Sequence, residues 1–379
     1  MSEKDNLEFN NFSVADEDDI VRKRAVFDES QLKEVDNPYQ NSHAESAAAE
    51  KTQTEAPSEK KDENSESENA EKPKKKRKSV IVTVIMIFAI ICFVLSGMII
   101  LKSIYDTKKN IKNNKELADS VNSIEDNTAV GADGIFEKYR ALYNQNPDFV
   151  GWIRIPNTSI NHPVVKGDTN DFYLHKGFDK SYDVKGSIFM DYRDHVDVLC
   201  KNTILYGHNN LDTTMFSDLE KYKDLEFYKT APVIEFNTIY RNYKWKIIAV
   251  FYTNNLEKDD NDYALNYIYP FMTDDSFESY YAELMLRSLY FTGVDVVKTD
   301  KILTLSTCTR DMDIKGRGET DARFVVVARM VRNGEAEEVD TSKALSVASP
   351  KYPQVWYDAH GTQNPYLGSP RWYPEGVEY

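Results

Sequence analysis

Cysteine is scarce in this chain: Cys92, Cys200 and Cys308 are the three present among 379 residues. There is no Cys-x-x-Cys pair and no His-Glu-x-x-His stretch, so the ligand spacing of a zinc centre is missing and neither metal nor cofactor is expected. Three irregularly spaced cysteines, one inside an apolar run, make a poor disulfide framework. Cys200 and Cys308 can in principle pair. The simpler expectation is two free thiols, with Cys200 in VDVLCKNTILYGH a small buried core residue. Positive charge is in deficit too, 47 Lys+Arg against 62 Asp+Glu for a net charge of −15. That deficit argues against nucleic acid as a partner, because phosphate contacts need basic patches. No internal repeat is apparent.

The charge is unevenly spread. Residues 1–71 hold 20 Asp+Glu against 8 Lys+Arg. The later half of that stretch has almost no large apolar side chains, so it cannot bury enough surface to offset the entropy of ordering. Residues 1–78 are therefore expected to be a disordered acidic tail ending in the basic cluster Lys72, Lys74, Lys75, Lys76, Arg77 and Lys78. Residues 79–101 then run 23 positions without a charge, and about 20 suffice to cross a bilayer. No small-residue cleavage site follows, so this stretch reads as an uncleaved single-pass anchor in the cell membrane. Basic residues flank both ends; the more compact upstream cluster favours a cytoplasmic N-terminus and an extracellular remainder. Residues 102–131, rich in Lys, Asn and Asp, are expected to be a juxtamembrane helix or stalk. A folded domain is expected over 132–332, and an aromatic, Pro-rich tail over 333–379.

Within the domain, Ile135, Phe136, Tyr139, Leu142 and Tyr143 recur at helical spacing and predict one amphipathic helix ending before Pro147. Short apolar runs separated by turn residues follow: VGWIRIP, HPVV, SIFMDY, NTILYGH, PVIEF, KWKIIAVFYT, KILTLSTC and RFVVVARMV. One helical interruption is expected between 275 and 290, with Phe277, Tyr280, Tyr281, Leu284, Met285 and Leu289 on one face. Many short strands at this spacing predict a mainly β fold, a closed or nearly closed barrel with added helices. The tail carries Tyr352, Trp356, Tyr357, Tyr366, Trp372, Tyr373 and Tyr379, more large aromatics than a disordered segment usually holds, so packing is expected there.

Two of the strand-like runs deliver reactive side chains where they stop. Residues 202–210, NTILYGHNN, end through Gly207 on His208, and 301–310, KILTLSTCTR, carry Cys308. A thiol and an imidazole on rigid strands are the minimum parts of a cysteine nucleophile and its acid/base partner. His162, His175 and His195 compete with His208, and Arg310 and Arg317 compete with Arg323, which opens RFVVVARMV 15 residues after Cys308. A strand holds Arg323 more rigidly than the DIKGRGE loop would hold Arg317. Ser306, two residues before the cysteine, shares its strand face. It is a candidate for peptide binding, or a simple barrel-lining hydroxyl.

The stretch 136–331 resembles a sortase, and more narrowly a class B sortase, on PDFVGWIRIPNTSINHPVV, DFYLHKGFD, GSIFMDYR, NTILYGHNN, MFSDL, TLSTCT and RFVVVAR in that order. The resemblance implies a closed eight-stranded β-barrel, with one helix before the barrel and a long one before the cysteine strand. It also implies a transpeptidase with Cys308, His208 and Arg323 as its catalytic residues. Such an enzyme cleaves secreted proteins at a C-terminal sorting signal, Asn-Pro-x-Thr-like in class B. It passes them through a cysteine thioester to an amine of lipid-linked peptidoglycan precursor or to a pilin lysine. Two other functions use the same parts: a secreted cysteine hydrolase with water as acceptor, and a non-catalytic surface scaffold. A papain-like enzyme is disfavoured because His208 precedes Cys308.

Overall fold

The computed structural model describes residues 75–122, 129–210, 212–255, 265–314, 320–369 and 372–373. The acidic segment expected over 1–78 falls almost wholly outside them, as does Arg317. The first described element is a 48-residue helix, α1 (Lys75–Asn122). Its uncharged part leaves large apolar side chains uncovered, Phe88 and Phe93 at 67% and 80% exposure among them. Among the described residues one helix is long and apolar enough to cross a membrane, and it is this one. The helix does not stop where charge resumes. It runs on through 102–122, and Asn110 Nδ2 donates to Asp183 Oδ2 at 2.6 Å, tying it to the domain.

The ring of strands follows from the eight marked runs. They form β1 (Phe149–Arg154), β2 (Asn161–Val165), β3 (Ile188–Met190), β4 (Asn202–Tyr206), β5 (Val233–Thr238), β6 (Lys244–Asn254), β8 (Ile302–Cys308) and β9 (Ala322–Met330). They close as β1-β2-β3-β4-β8-β9-β6-β5 and back to β1. β2–β3 and β4–β8 are parallel pairs and the others antiparallel. A parallel strand needs cover on both faces, which is why β4 is buried at every position. Alternation sorts the strands into two cores. Leu303, Leu305, Phe324 and Val326 enter one, Ile302, Val325 and Val327 the other.

The helices cap these cores. α2 (Glu137–Gln145) contributes Tyr139 and Leu142 to the second core. α3 (Leu225–Thr230) adds Tyr228 to the first. α4 (Asp274–Arg287), capped by the Thr273 hydroxyl accepting from Ser276 N–H, adds Phe277, Tyr280 and Leu284 to the second. The described part of the aromatic tail packs. β7 (Tyr290–Phe291) pairs with β10 (Leu345–Ser346), and α5 (Gln354–His360) buries Val355 and Tyr357 before ending at Gly361, whose φ of +63° suits glycine. Trp372 sits 5.1 Å from the Tyr280 ring and donates through Nε1 to Ser279.

Candidate active site

Register places the reactive groups. β8 and β9 pair so that Cys308, the last residue of β8, faces Arg323. Arg323 is 3% exposed, ion-paired to buried Asp321, and its Nη1 donates to Cys308 Sγ at 2.6 Å. On the other side of β8 runs β4, in parallel, with Tyr206 opposite Ser306. Continuing that register carries the chain to His208 alongside Cys308. Gly207 makes the continuation: its N–H donates to Ser306 O at 3.2 Å, and its carbonyl accepts from Thr307 Oγ1 at 2.7 Å. A Cβ at Gly207 would lie 2.8 Å from the Phe216 ring, so this position has no room for a side chain. Asn209 Nδ2 then donates to the Cys308 carbonyl at 2.9 Å, closing the link between the two strand ends.

His208 is fixed by its surroundings. Nε2 stands 2.8 Å from the Leu174 carbonyl, the last-but-one residue of a short turn Phe172–His175, so Nε2 carries the proton and donates while Nδ1 is left as the basic nitrogen. The ring stacks on His175 with centroids 5.9 Å apart. Burial first, then the charges of His175 and Arg323, hold the imidazole below its ordinary 6.5, against the opposing pull of the Leu174 carbonyl and Asp183. A neutral imidazole, an uncovered thiol and a fixed guanidinium at adjoining strand ends can carry out acyl transfer through sulfur.

The sortase family model matches residues 153–331. Sortase B of Staphylococcus aureus is 32% identical over 251 residues, 66% of this chain and 96% of that protein. Sortase B of Listeria monocytogenes is 34% identical over 237 residues, covering 62% and 92%. Among solved structures, a Staphylococcus aureus sortase B–substrate complex aligns with TM-score 0.53 at 33% identity, over 60% of this chain and 99% of that one. This chain belongs to the sortase family. Within it the likeness is to class B, and the enzyme is a cysteine transpeptidase.

In this sortase the fourth residue singled out, Ser306, is 2% exposed and hydrogen-bonded through Oγ to the Tyr267 hydroxyl at 2.6 Å. Tyr267 is 1% exposed and its hydroxyl is pushed up to about 12, chiefly by burial. Tyr267 and Asp321 were not picked out from sequence. Asp321 carried a signal, since Asp321 and Arg323 are two apart at a strand start and share a face. Tyr267 carried little, lying in YALNYIYPF, which has neither strand nor helix period.

Of the competing residues, His175 adjoins the site, stacked on His208. His162 has no partner for either ring nitrogen among the described residues, and burial pushes it down to about 4; His195 packs on Phe271. Arg310 is exposed. Cys200 is a free, buried thiol pushed up to about 12 by burial and then by Asp194. Among the described residues no cluster of His, Cys, Asp and Glu could hold a metal ion.

Proposed function

We propose that this sortase is a membrane-anchored transpeptidase whose catalytic residues are Cys308, His208 and Arg323. The observation that carries the reading is the Arg323 guanidinium on the Cys308 sulfur, beside the strand end that bears His208. Cys308 attacks the carbonyl of the Thr-like residue in a C-terminal sorting signal. The thiol proton passes to His208 Nδ1 as the carbon–sulfur bond forms, and His208 gives that proton to the departing amine as the peptide C–N bond breaks. An incoming amine then attacks the thioester, His208 accepts its proton, and that proton returns to the sulfur as the carbon–sulfur bond breaks. Arg323, permanently charged and held by Asp321, donates to the carbonyl oxygen as negative charge develops there. The structural relative solved as a substrate complex supports a substrate occupant at the Cys308 end.

The substrates are secreted proteins ending in an Asn-Pro-x-Thr-like signal. The acceptor is an amine of lipid-linked peptidoglycan precursor or a pilin lysine. Residues 79–101 anchor the enzyme, with 1–78 in the cytoplasm, 102–131 as the stalk and 132–332 as the catalytic domain outside the cell; Ser306 helps bind the peptide. Incubating the purified chain with a sorting-type peptide and an amine, then weighing the products, tests the reaction. Transfer product is expected; acid product alone would make it a hydrolase, and no turnover a scaffold. Protease added to wall-stripped cells should digest the domain and spare the acidic tail. Digestion of the tail instead reverses the orientation.

A further inference from the structure

The family match ends at residue 331, yet the chain continues into a packed segment that transpeptidation as described does not use. Val355 of α5 is fully buried in the same core as Met312 and Ala322, which lie between Cys308 and Arg323 along the chain, and Phe324, which follows Arg323. Outward from Val355, Tyr352, Trp356 and His360 stack in a column, with ring centroids 3.9 Å and 4.0 Å apart. The Tyr352 ring meets Tyr252 at 6.0 Å, and the Tyr252 hydroxyl donates to Asp311 Oδ2 at 2.6 Å. Lys223 pairs with the same carboxylate oxygen at 2.5 Å and reaches Glu220 at 2.9 Å. Glu220 in turn accepts from Thr309 Oγ1 at 2.8 Å. The first and third residues beyond the nucleophile are thus both pinned. The turn that supplies Glu220 and Lys223, Ser217–Lys223, follows Phe216, whose N–H donates to the His208 carbonyl.

We propose that residues 345–369 are an intramolecular brace for the loop after the nucleophile, with Asp311 as the positioning residue that receives it. The tail holds Tyr252, Tyr252 and Lys223 hold Asp311, and Asp311 fixes the main chain just beyond Cys308. This rests on Cys308 as the nucleophile. The geometry has a reason. The chain between β8 and β9 is long, and displacement of a reacting atom by about 1 Å can cost about 10²-fold in rate. Charge-assisted bonds to one carboxylate oxygen are a strong way to prevent that.

The test uses the full-length chain in detergent micelles, with a sorting-type peptide, an amine acceptor, and iodoacetamide as a probe of Cys308, read from the mass of the Cys308 peptide. Asp311→Ala and Trp356→Ala are expected to lower kcat about tenfold per folded molecule with KM changed less than about twofold, and to alter the alkylation rate in step. Lys223→Ala should match Asp311→Ala, while Lys223→Arg, which keeps the ion pair, should restore most of kcat. Unchanged kcat and alkylation in folded Asp311→Ala overturn the brace. So does a loss that vanishes when rates are expressed per folded molecule, or a Lys223→Arg as damaging as Lys223→Ala. Cys308→Ala is measured alongside: turnover in that variant would remove the nucleophile reading instead.

Discussion

Two arginines on one strand, Arg323 and Arg329, differ in what faces them. Both are buried, both lie on the same face of β9, and each is opposite a residue of β8, Cys308 for the first and Ile302 for the second. Arg329 is surrounded by carboxylates. It bonds Asp295 at 3.1 Å and Glu335 at 2.9 Å, with Asp300 also beside it, and this holds the Glu335 carboxyl well below the usual range. Arg323 is paired with Asp321 and turns Nη1 onto a sulfur that is open to solvent. A buried guanidinium locked among carboxylates is a structural element whose removal leaves uncompensated charge. One aimed at an accessible thiol lies instead where the proposed substrate carbonyl would meet the sulfur.

The largest effects should fall on the Cys308 end. Cys308→Ala is expected to abolish peptide–amine transfer, and Cys200→Ala to leave most of it, since that thiol is buried and its pKa raised to about 12. Arg323→Ala should lower kcat by about 10²-fold or more, and Arg323→Lys should recover little, because a point charge cannot span both Asp321 and the sulfur. Arg329→Met breaks the comparison from the other side. It should destabilise the fold by about 3 kcal/mol in urea melts while leaving kcat per folded molecule within about twofold. A large kcat loss there, or a silent Arg323→Ala, would mean that the two arginines do not divide the work as proposed.

His208→Ala should follow, at about 10²-fold in kcat. With its pKa held below 6.5, His208 stays neutral at pH 7, and its NMR titration midpoint should lie on the acid side of 6.5. A midpoint above 6.5 would contradict the burial argument. His162 gives a contrasting signal in stability alone. The unfolded chain takes up a proton at that residue below 6.5, whereas the folded chain resists until about 4, so stability falls as pH drops through that window. His162→Leu should flatten that part of the stability–pH curve without changing kcat at pH 7. An unchanged slope would show that other groups carry the acid sensitivity.

The strands were readable because each is a short β-branched or aromatic run ended by turn residues, and all eight marked runs became strands of the ring. The placement of Cys308 at and His208 just past a strand end was readable, and so was that of Arg323 near the start of β9. Which strands pair was harder. β3 has three residues and joins β2 in parallel, a pairing set by the crossover between them rather than by any local pattern. α5 is seven residues long and was hidden in the Pro-rich tail, where composition suggested packing but no periodicity marked a helix. Support of His208 by the Leu174 carbonyl is invisible to side-chain reasoning, since any residue has a carbonyl.

Ser306 should give the smallest effect and the finest distinction. Its hydroxyl shares a face with Cys308, which suits substrate contact, yet it is already bonded to Tyr267 in a buried setting. Ser306→Ala leaves the Tyr267 hydroxyl without that partner, at a cost of about 1–3 kcal/mol in stability. Tyr267→Phe alone removes the other half of the pair, and the double variant removes both, so the cycle isolates their coupling. If Ser306 serves only Tyr267, the double variant should regain much of the lost stability and KM for the sorting peptide should stay level throughout. If Ser306 also contacts peptide, KM should rise a few-fold in both variants that lack the serine and remain normal in Tyr267→Phe. A KM that follows Tyr267 instead would move the peptide contact to the tyrosine, one step behind the strand that carries the nucleophile.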